Sequence, residues 1–175
     1  MKIKVHWVCL LLCLSGWLLG CQPLESPQGQ RVSVDRVVNG QVLELVSPIG
    51  PAPGVYRVRL EGVEAPDLRQ IPWGEDAKRY LISLIADHPV LIETEHQFPD
   101  QYNRIWAYVW LDHKLLNEQL AAAGHALVRN EQAAPLKYGQ RLIRAQEQAR
   151  IAGLGVWNPE RPMRQTPKEF REYKQ

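Results

Sequence analysis

A hairpin is written into the start of the folded part of this chain. Asn39-Gly40 stands between two β-branched runs, with Val32, Val34 and Val37-Val38 before it and Val42-Leu43-Glu44-Leu45-Val46 after it. Such a pair between two such runs predicts an antiparallel turn whose two central residues accept φ > 0. A proline- and glycine-rich loop over 47–54 (SPIGPAPG) leads to a third alternating run over 55–60. Residues 75–87 then carry Ala77, Tyr80-Leu81 and Leu84-Ile85 at helical spacing, so a one-sided helix is expected. Strands are expected over 90–96 and 105–111, the second (IWAYVWL) buried. Helices follow over 116–123 and 135–152, stopping at Gly124 and Gly153. Five strands with about three helices on so short a chain predict a mainly β fold with α elements, a closed barrel of the OB type.

Ahead of the barrel the chain reads as an export leader. Lys2 and Lys4 precede an apolar run from Val8 to Leu19, and Gly20 stands before Cys21. A positive start, a short apolar stretch and a small residue at the cut site mark a secretory signal, and the run is short of the roughly 20 residues a membrane span needs. Leu18-Leu19-Gly20-Cys21 resembles a lipobox, which implies a diacylglycerol on the Cys21 thiol. An ordinary cleaved signal would carry Ala-x-Ala there instead. The expected organisation is a signal peptide over 1–20, a lipidated tether over 21–30, one domain over 31–158 and a loose polar tail over 159–175. Localisation follows: exported, and lipid-anchored on the periplasmic or cell-surface side.

Cys9, Cys13 and Cys21 are all the cysteines, and all lie in or at the end of this leader. Disulfides, thiolate-held zinc and a cysteine nucleophile are therefore excluded from the domain. Removing residues 1–20 takes Lys2 and Lys4 and no acid, so 21 basic residues become 19, level with 19 acidic ones. A chain so balanced is no sequence-blind clamp for duplex DNA, which relies on many phosphate contacts. A local basic cleft stays compatible with it, and a monomer is expected.

The chemistry is not carried by familiar catalytic strings. Gly-x-Ser-x-Gly, a phosphate-cradling loop and His-Glu-x-x-His are all missing, and His88, His96, His113 and His125 are scattered near turns. What remains are polar strings at strand ends: residues 36–45 (RVVNGQVLEL), 59–67 (RLEGVEAPD) and 100–108 (DQYNRIWAY). Singly each is bland, since a carboxylate at a strand end usually caps or meets solvent. In this order, and joined by 72–77 (PWGEDA), 116–120 (LNEQL) with Gly124, and 149–157 (ARIAGLGVW), they resemble the staphylococcal nuclease (thermonuclease) family from about Val32 to Trp157.

That resemblance implies one calcium ion, two phosphate-holding arginines and a carboxylate acting as general base on water. Phosphodiester attack piles negative charge on phosphate oxygens, so a divalent ion and guanidinium forks must already face them. Carried over by position, Arg59 and Arg104 are the arginines, Tyr102 a substrate-stacking residue, and Asp67 the base. Gln41, Glu64 and the backbone carbonyl of Ala65 fall on the metal positions. The acidic members depart from the family pattern: Gln41 and Glu64 stand where it has aspartates, and Asp67 where it has glutamate. Losing one charge beside an ion removes up to roughly 4 kcal/mol at 4 Å for an effective dielectric near 20. A displacement of about 1 Å in a base costs on the order of a hundredfold in rate.

Three functions compete on these residues. The first is calcium-assisted hydrolysis of nucleic acid outside the cytoplasm by a degenerate site. The second is an inactive module of the same fold that binds a nucleotide, a polyanion or a protein partner. The third is a structural envelope lipoprotein. The two matching arginines favour the first two.

Overall fold

The computed structural model describes residues 26–51, 54–129 and 135–173. The leader, and Cys21 with it, lies outside the described residues. Five long pairings build the sheet. β1 (Gln30–Val32) pairs with β6 (Val90–Glu93), and β6 with β7 (Arg104–Leu111). β7 runs parallel to β4 (Arg57–Leu60), β4 pairs with β3 (Val42–Leu45), and β3 with β2 (Val34–Asn39).

The order β1-β6-β7-β4-β3-β2 reads as an open sheet, yet its two ends are neighbours in sequence. Only Ser33 separates β1 from β2, and its carbonyl accepts a hydrogen bond from Val46 N at 3.0 Å. One continuous run, 30–39, thus pairs with β6 through its first half and with β3 through its second. Five chain segments therefore form an OB-like ring, as the sequence predicts. Inside it pack Leu43, Val58, Leu60, Ile92, Ile105 and Val109, all fully buried. Two short pairs lie off the ring: β5 (Val63–Glu64) with β9 (Leu127–Val128), and β8 (Lys114–Leu115) on the end of β7.

The first hairpin forms, but one residue later and for another reason than the sequence reading gives. Asn39 pairs with Val42, so the two-residue loop is Gly40-Gln41, and neither residue has positive φ. The Asn39 side chain closes the turn by accepting the Gln41 N–H at 3.0 Å. Gly40 is required by packing: a Cβ there would lie 2.6 Å from Ala77 Cβ and 2.8 Å from Ala65 Cβ. The bare backbone lets helix α1 (Trp73–Ile85) sit directly on the hairpin, with Ala77, Leu81 and Ile85 on its buried face.

Helices α2 (Leu116–Ala122) and α3 (Gly139–Ile151) occupy the expected places, α3 starting four residues later than its pattern suggests. The tail is the larger difference. Residues 159–173 are not loose; they end in a further helix, α4 (Pro167–Tyr173), which the composition gave no reason to expect. Its start is a capping box: Thr166 N donates to Glu169 Oε2 at 2.7 Å, and Glu169 N donates to Thr166 Oγ1 at 3.2 Å.

Candidate functional site

Parallel pairing of β4 with β7 sets Arg57 beside Arg104 and Arg59 beside Trp106, while Val58, Ile105, Leu60 and Ala107 turn inward. The period of two along each strand thus puts Arg59, Arg104 and Trp106 on the barrel's outer face. There they line a cleft of about 440 Å³ with Gln41, Glu64, Ala65, Asp67 and Tyr102. All seven site positions read from the sequence meet in this one cleft.

Arg59 is its deepest cation, only 5% exposed, and its guanidinium lies 4.5 Å from the centre of the Trp106 ring. Burial, then the neighbouring charge of Arg129, pulls its pKa down to about 10; Glu64 acts in the opposite sense. Among the described residues its buried Nη1 has no hydrogen-bond partner. A buried donor left over is costly, and Arg59 as a whole lines the cleft.

Arg104 is held by Asp100, the first residue of the string 100–108, whose role is not among those the family resemblance implies. Asp100 Oδ2 accepts from Arg104 Nε at 2.9 Å and Nη2 at 2.7 Å, and from Trp106 Nε1 at 3.0 Å. Oδ1 accepts the backbone N–H groups of Tyr102 and Arg104. Partial burial works against this carboxylate, yet the hydrogen bonds from Arg104 and Trp106 hold its pKa below the usual range. Tyr102 is 62% exposed, with the Arg104 guanidinium 4.8 Å from its ring centre. That leaves the ring open to stack on a base.

The acidic residues are already engaged. Asp67 takes a two-pronged ion pair from Arg69, Nε to Oδ1 at 2.8 Å and Nη2 to Oδ2 at 3.0 Å. The hydrogen bonds from Arg69 lower its pKa. The backbone of Asp67 is set by α1: a Cβ on Gly74 would lie 2.1 Å from the Asp67 carbonyl oxygen, which is why glycine follows Trp73. Glu64 is placed by the β5–β9 pair, and its Oε1 accepts from Arg171 Nη2 of helix α4. Gln41 spends its Oε1 on the Ala65 N–H at 2.7 Å, tying the first hairpin to the Glu64–Asp67 loop.

Calcium requires six to eight hard oxygens at about 2.3–2.6 Å. Gln41, Glu64 and Ala65 supply oxygens of the right type but only one carboxylate, which is bound to a guanidinium. Among the described residues no three Asp, Glu, His or Cys side chains gather closely enough to hold a metal. As arranged, the donor set does not fit a calcium ion.

Two further cations line the cleft, Arg129 and Arg171, which the resemblance does not imply. Arg129 follows β9, donates its backbone N–H to Gly62 O at 2.9 Å, and places its guanidinium 4.8 Å from the Trp106 ring centre. Arg171 arrives from the tail. Arg129 had no signal in the sequence, because the β5–β9 pair is two residues long; the helix of Arg171 had one, Thr166-Pro167-Lys168-Glu169, whose spacing marks a capped start but not where the helix docks. With Arg59 and Arg104 they make, among the described residues, four guanidiniums in a cleft with two carboxylates, Glu64 and Asp67.

Comparison with known proteins agrees with the geometry. The family model for staphylococcal nuclease homologues matches residues 57–159. The chain is 30% identical to the thermonuclease of Staphylococcus hyicus over 141 residues, 77% of this chain and 80% of that one. It is 29% identical to the thermonuclease of Staphylococcus intermedius over 136 residues, 74% of this chain and 77% of that one. It is also 27% identical to the SPbeta prophage-derived endonuclease YokF of Bacillus subtilis (strain 168), covering 73% of this chain but 44% of that protein. On the ring of five segments, the cleft on its outer face and these matches, the chain belongs to the staphylococcal nuclease family.

Proposed function

We propose that this protein hydrolyses phosphodiester bonds of nucleic acid outside the cytoplasm, held at a membrane by a lipid on Cys21. The observation that carries the reading is that Arg59 and Arg104, from two neighbouring strands, line the same open cleft. A phosphate seated there meets two guanidinium forks before any charge develops, and their attraction grows as charge accumulates on its oxygens. Tyr102 stacks on the adjoining base or ribose. Asp67 takes a proton from the attacking water, at a cost set by its ion pair with Arg69. Calcium assistance, implied by the family, is the part of the reading that the donor set as arranged does not serve, and no step above depends on it.

A second reading, a binding module without catalysis, is favoured by one observation: Asp67 and Glu64 are both paired with guanidiniums. The deciding experiment incubates the full-length chain, in detergent, with labelled single-stranded DNA and RNA, with calcium and with chelator. Cleavage that is lost in Arg59→Ala and Arg104→Ala supports the enzyme. Binding that depends on both arginines, with no cleavage in any condition, assigns the module. The anchor is checked by mass: an unmodified N-terminus on wild type fractionated from cells would refute lipidation at Cys21.

A further inference from the structure

The clash between the cleft and a calcium ion has a specific source, the C-terminal helix. We propose that Arg171 takes the place of a divalent cation, so that the cleft holds phosphate with four guanidiniums and no metal. This rests on the phosphate-binding reading of the cleft.

Three features act together. Gln41 has no charge and gives its oxygen to the Ala65 N–H, so an ion at this corner would lose an anionic ligand. Glu64, the carboxylate left there, is neutralised by Arg171. Around them stand Arg59, Arg104 and Arg129, so among the described residues lining the cleft four side chains are positive and two negative, with Asp100 on Arg104 and Arg69 on Asp67 leaving the excess unchanged. A cleft with that balance repels a small cation and attracts a polyanion. Arg171 also sits close enough to Arg59 and Asp67 to act on the charge of each.

Arg171 is held in place by built contacts. Seven residues are far too few for a free helix, which needs on the order of 12–15, so α4 is stable only as docked. Its capping box closes one end, and Pro167 is buried. The Arg69 guanidinium lies 5.6 Å from the centre of the Phe170 ring. Just upstream, Gln70 Nε2 donates to Gln165 O at 3.0 Å. The loop that carries Asp67 and Arg69 therefore holds the helix, which delivers a guanidinium to Glu64. A guanidinium offers a planar fork of donors to phosphate that a lysine does not, so the identity of residue 171 matters beyond its charge.

The test uses the full-length chain in detergent, with a fluorescent single-stranded oligonucleotide and with calcium alone. In chelator, wild type should bind the oligonucleotide, and calcium should change that affinity less than twofold. Arg171→Ala should weaken binding in chelator at least tenfold, with Arg171→Lys in between. By calorimetry, wild type should show no calcium binding up to millimolar concentrations, whereas Arg171→Ala should gain it as Glu64 is released. Wild-type binding that requires calcium would overturn the proposal. So would Arg171→Ala binding as tightly as wild type, or tighter, in chelator, since the helix would then be a plug. If wild type binds no oligonucleotide under any condition, the nucleic-acid reading fails and the calcium arm decides alone. A gain of calcium binding in Arg171→Ala then upholds the replacement, and no gain overturns it.

Discussion

The carboxylate of Asp100 grips the guanidinium of Arg104 through Nε at 2.9 Å and Nη2 at 2.7 Å, both on the single oxygen Oδ2. That oxygen also accepts from the Trp106 indole. Asp100→Asn keeps the size and the Oδ1 acceptor but sets an NH2 group against three donors. Arg104 should lose its fixed direction, and cleavage or oligonucleotide affinity should fall on the order of tenfold to a hundredfold. Stability should fall by only about 1–2 kcal/mol. Equal losses in function and stability would show that Asp100 merely holds the fold.

How much of this was legible in the sequence depends on the range of the interaction. The barrel strands announce themselves by alternation, and helix α1 by its apolar stripe, because a single buried face writes a period into the chain. Arg59 and Arg104, 45 positions apart, could be placed together only through the family resemblance. Nothing local says that β4 and β7 run side by side. The place of Arg171 was out of reach: Thr166-x-x-Glu169 marks a helix start, but the helix lies beyond the matched residues 57–159, and its seven residues are exposed apart from Pro167 and the half-buried Phe170 and Arg171, too little of a stripe to show where it docks. The Gly40-Gln41 turn shows a right element reached by an incomplete argument, since Asn-Gly marked the hairpin while packing against Ala77 decided the glycine.

Asn117 explains why the string Leu116-Asn117-Glu118-Gln119-Leu120 has a polar residue on its buried face. Fully buried, it donates from Nδ2 to Glu61 O at 2.8 Å, and its Oδ1 accepts the Val109 N–H at 3.0 Å. Asn117→Ala removes both of these interior bonds, at about 1–2 kcal/mol each. Total loss should be roughly 2–4 kcal/mol, seen as a thermal midpoint lower by about 5–15 °C. A drop of less than 2 °C would mean that water replaces both bonds.

His125 sets a pH dependence. It stacks against Tyr80 with ring centres 4.7 Å apart, and burial lowers its pKa below the usual 6.5, with Asp76 acting weakly the other way. The unfolded chain therefore takes up a proton at higher pH than the folded one. Stability should rise with pH over this interval: complete above about 6.5, and falling as the pH drops toward the folded-state value. His125→Phe should flatten that slope in thermal unfolding below about pH 6.5. A slope unchanged in the variant would assign the effect to another group.

The ion pair of Asp67 with Arg69 makes a prediction about rate. Arg69 lowers the pKa of Asp67 chiefly through the hydrogen bonds to its side chain, and a carboxylate so held is a weaker base than a free one. Arg69→Leu removes the fork but keeps an apolar side chain against Phe170, so helix α4 should stay docked and Arg171 should stay on Glu64. Two shifts should follow if Asp67 is the base. Cleavage at neutral pH should rise severalfold, because the carboxylate accepts a proton more readily. The acid limb of the pH–rate profile should move up toward the ordinary 3.8, because Asp67 must be ionised to act and protonates sooner once unpaired. The sign is fixed: a depressed pKa in wild type keeps Asp67 ionised at lower pH than in the variant. Arg69→Lys should fall between the two, since a single ammonium cannot reproduce the fork. An acid limb that does not move, with Arg171 still paired, would remove Asp67 from the role of base and leave the arginines as the cleft's working groups.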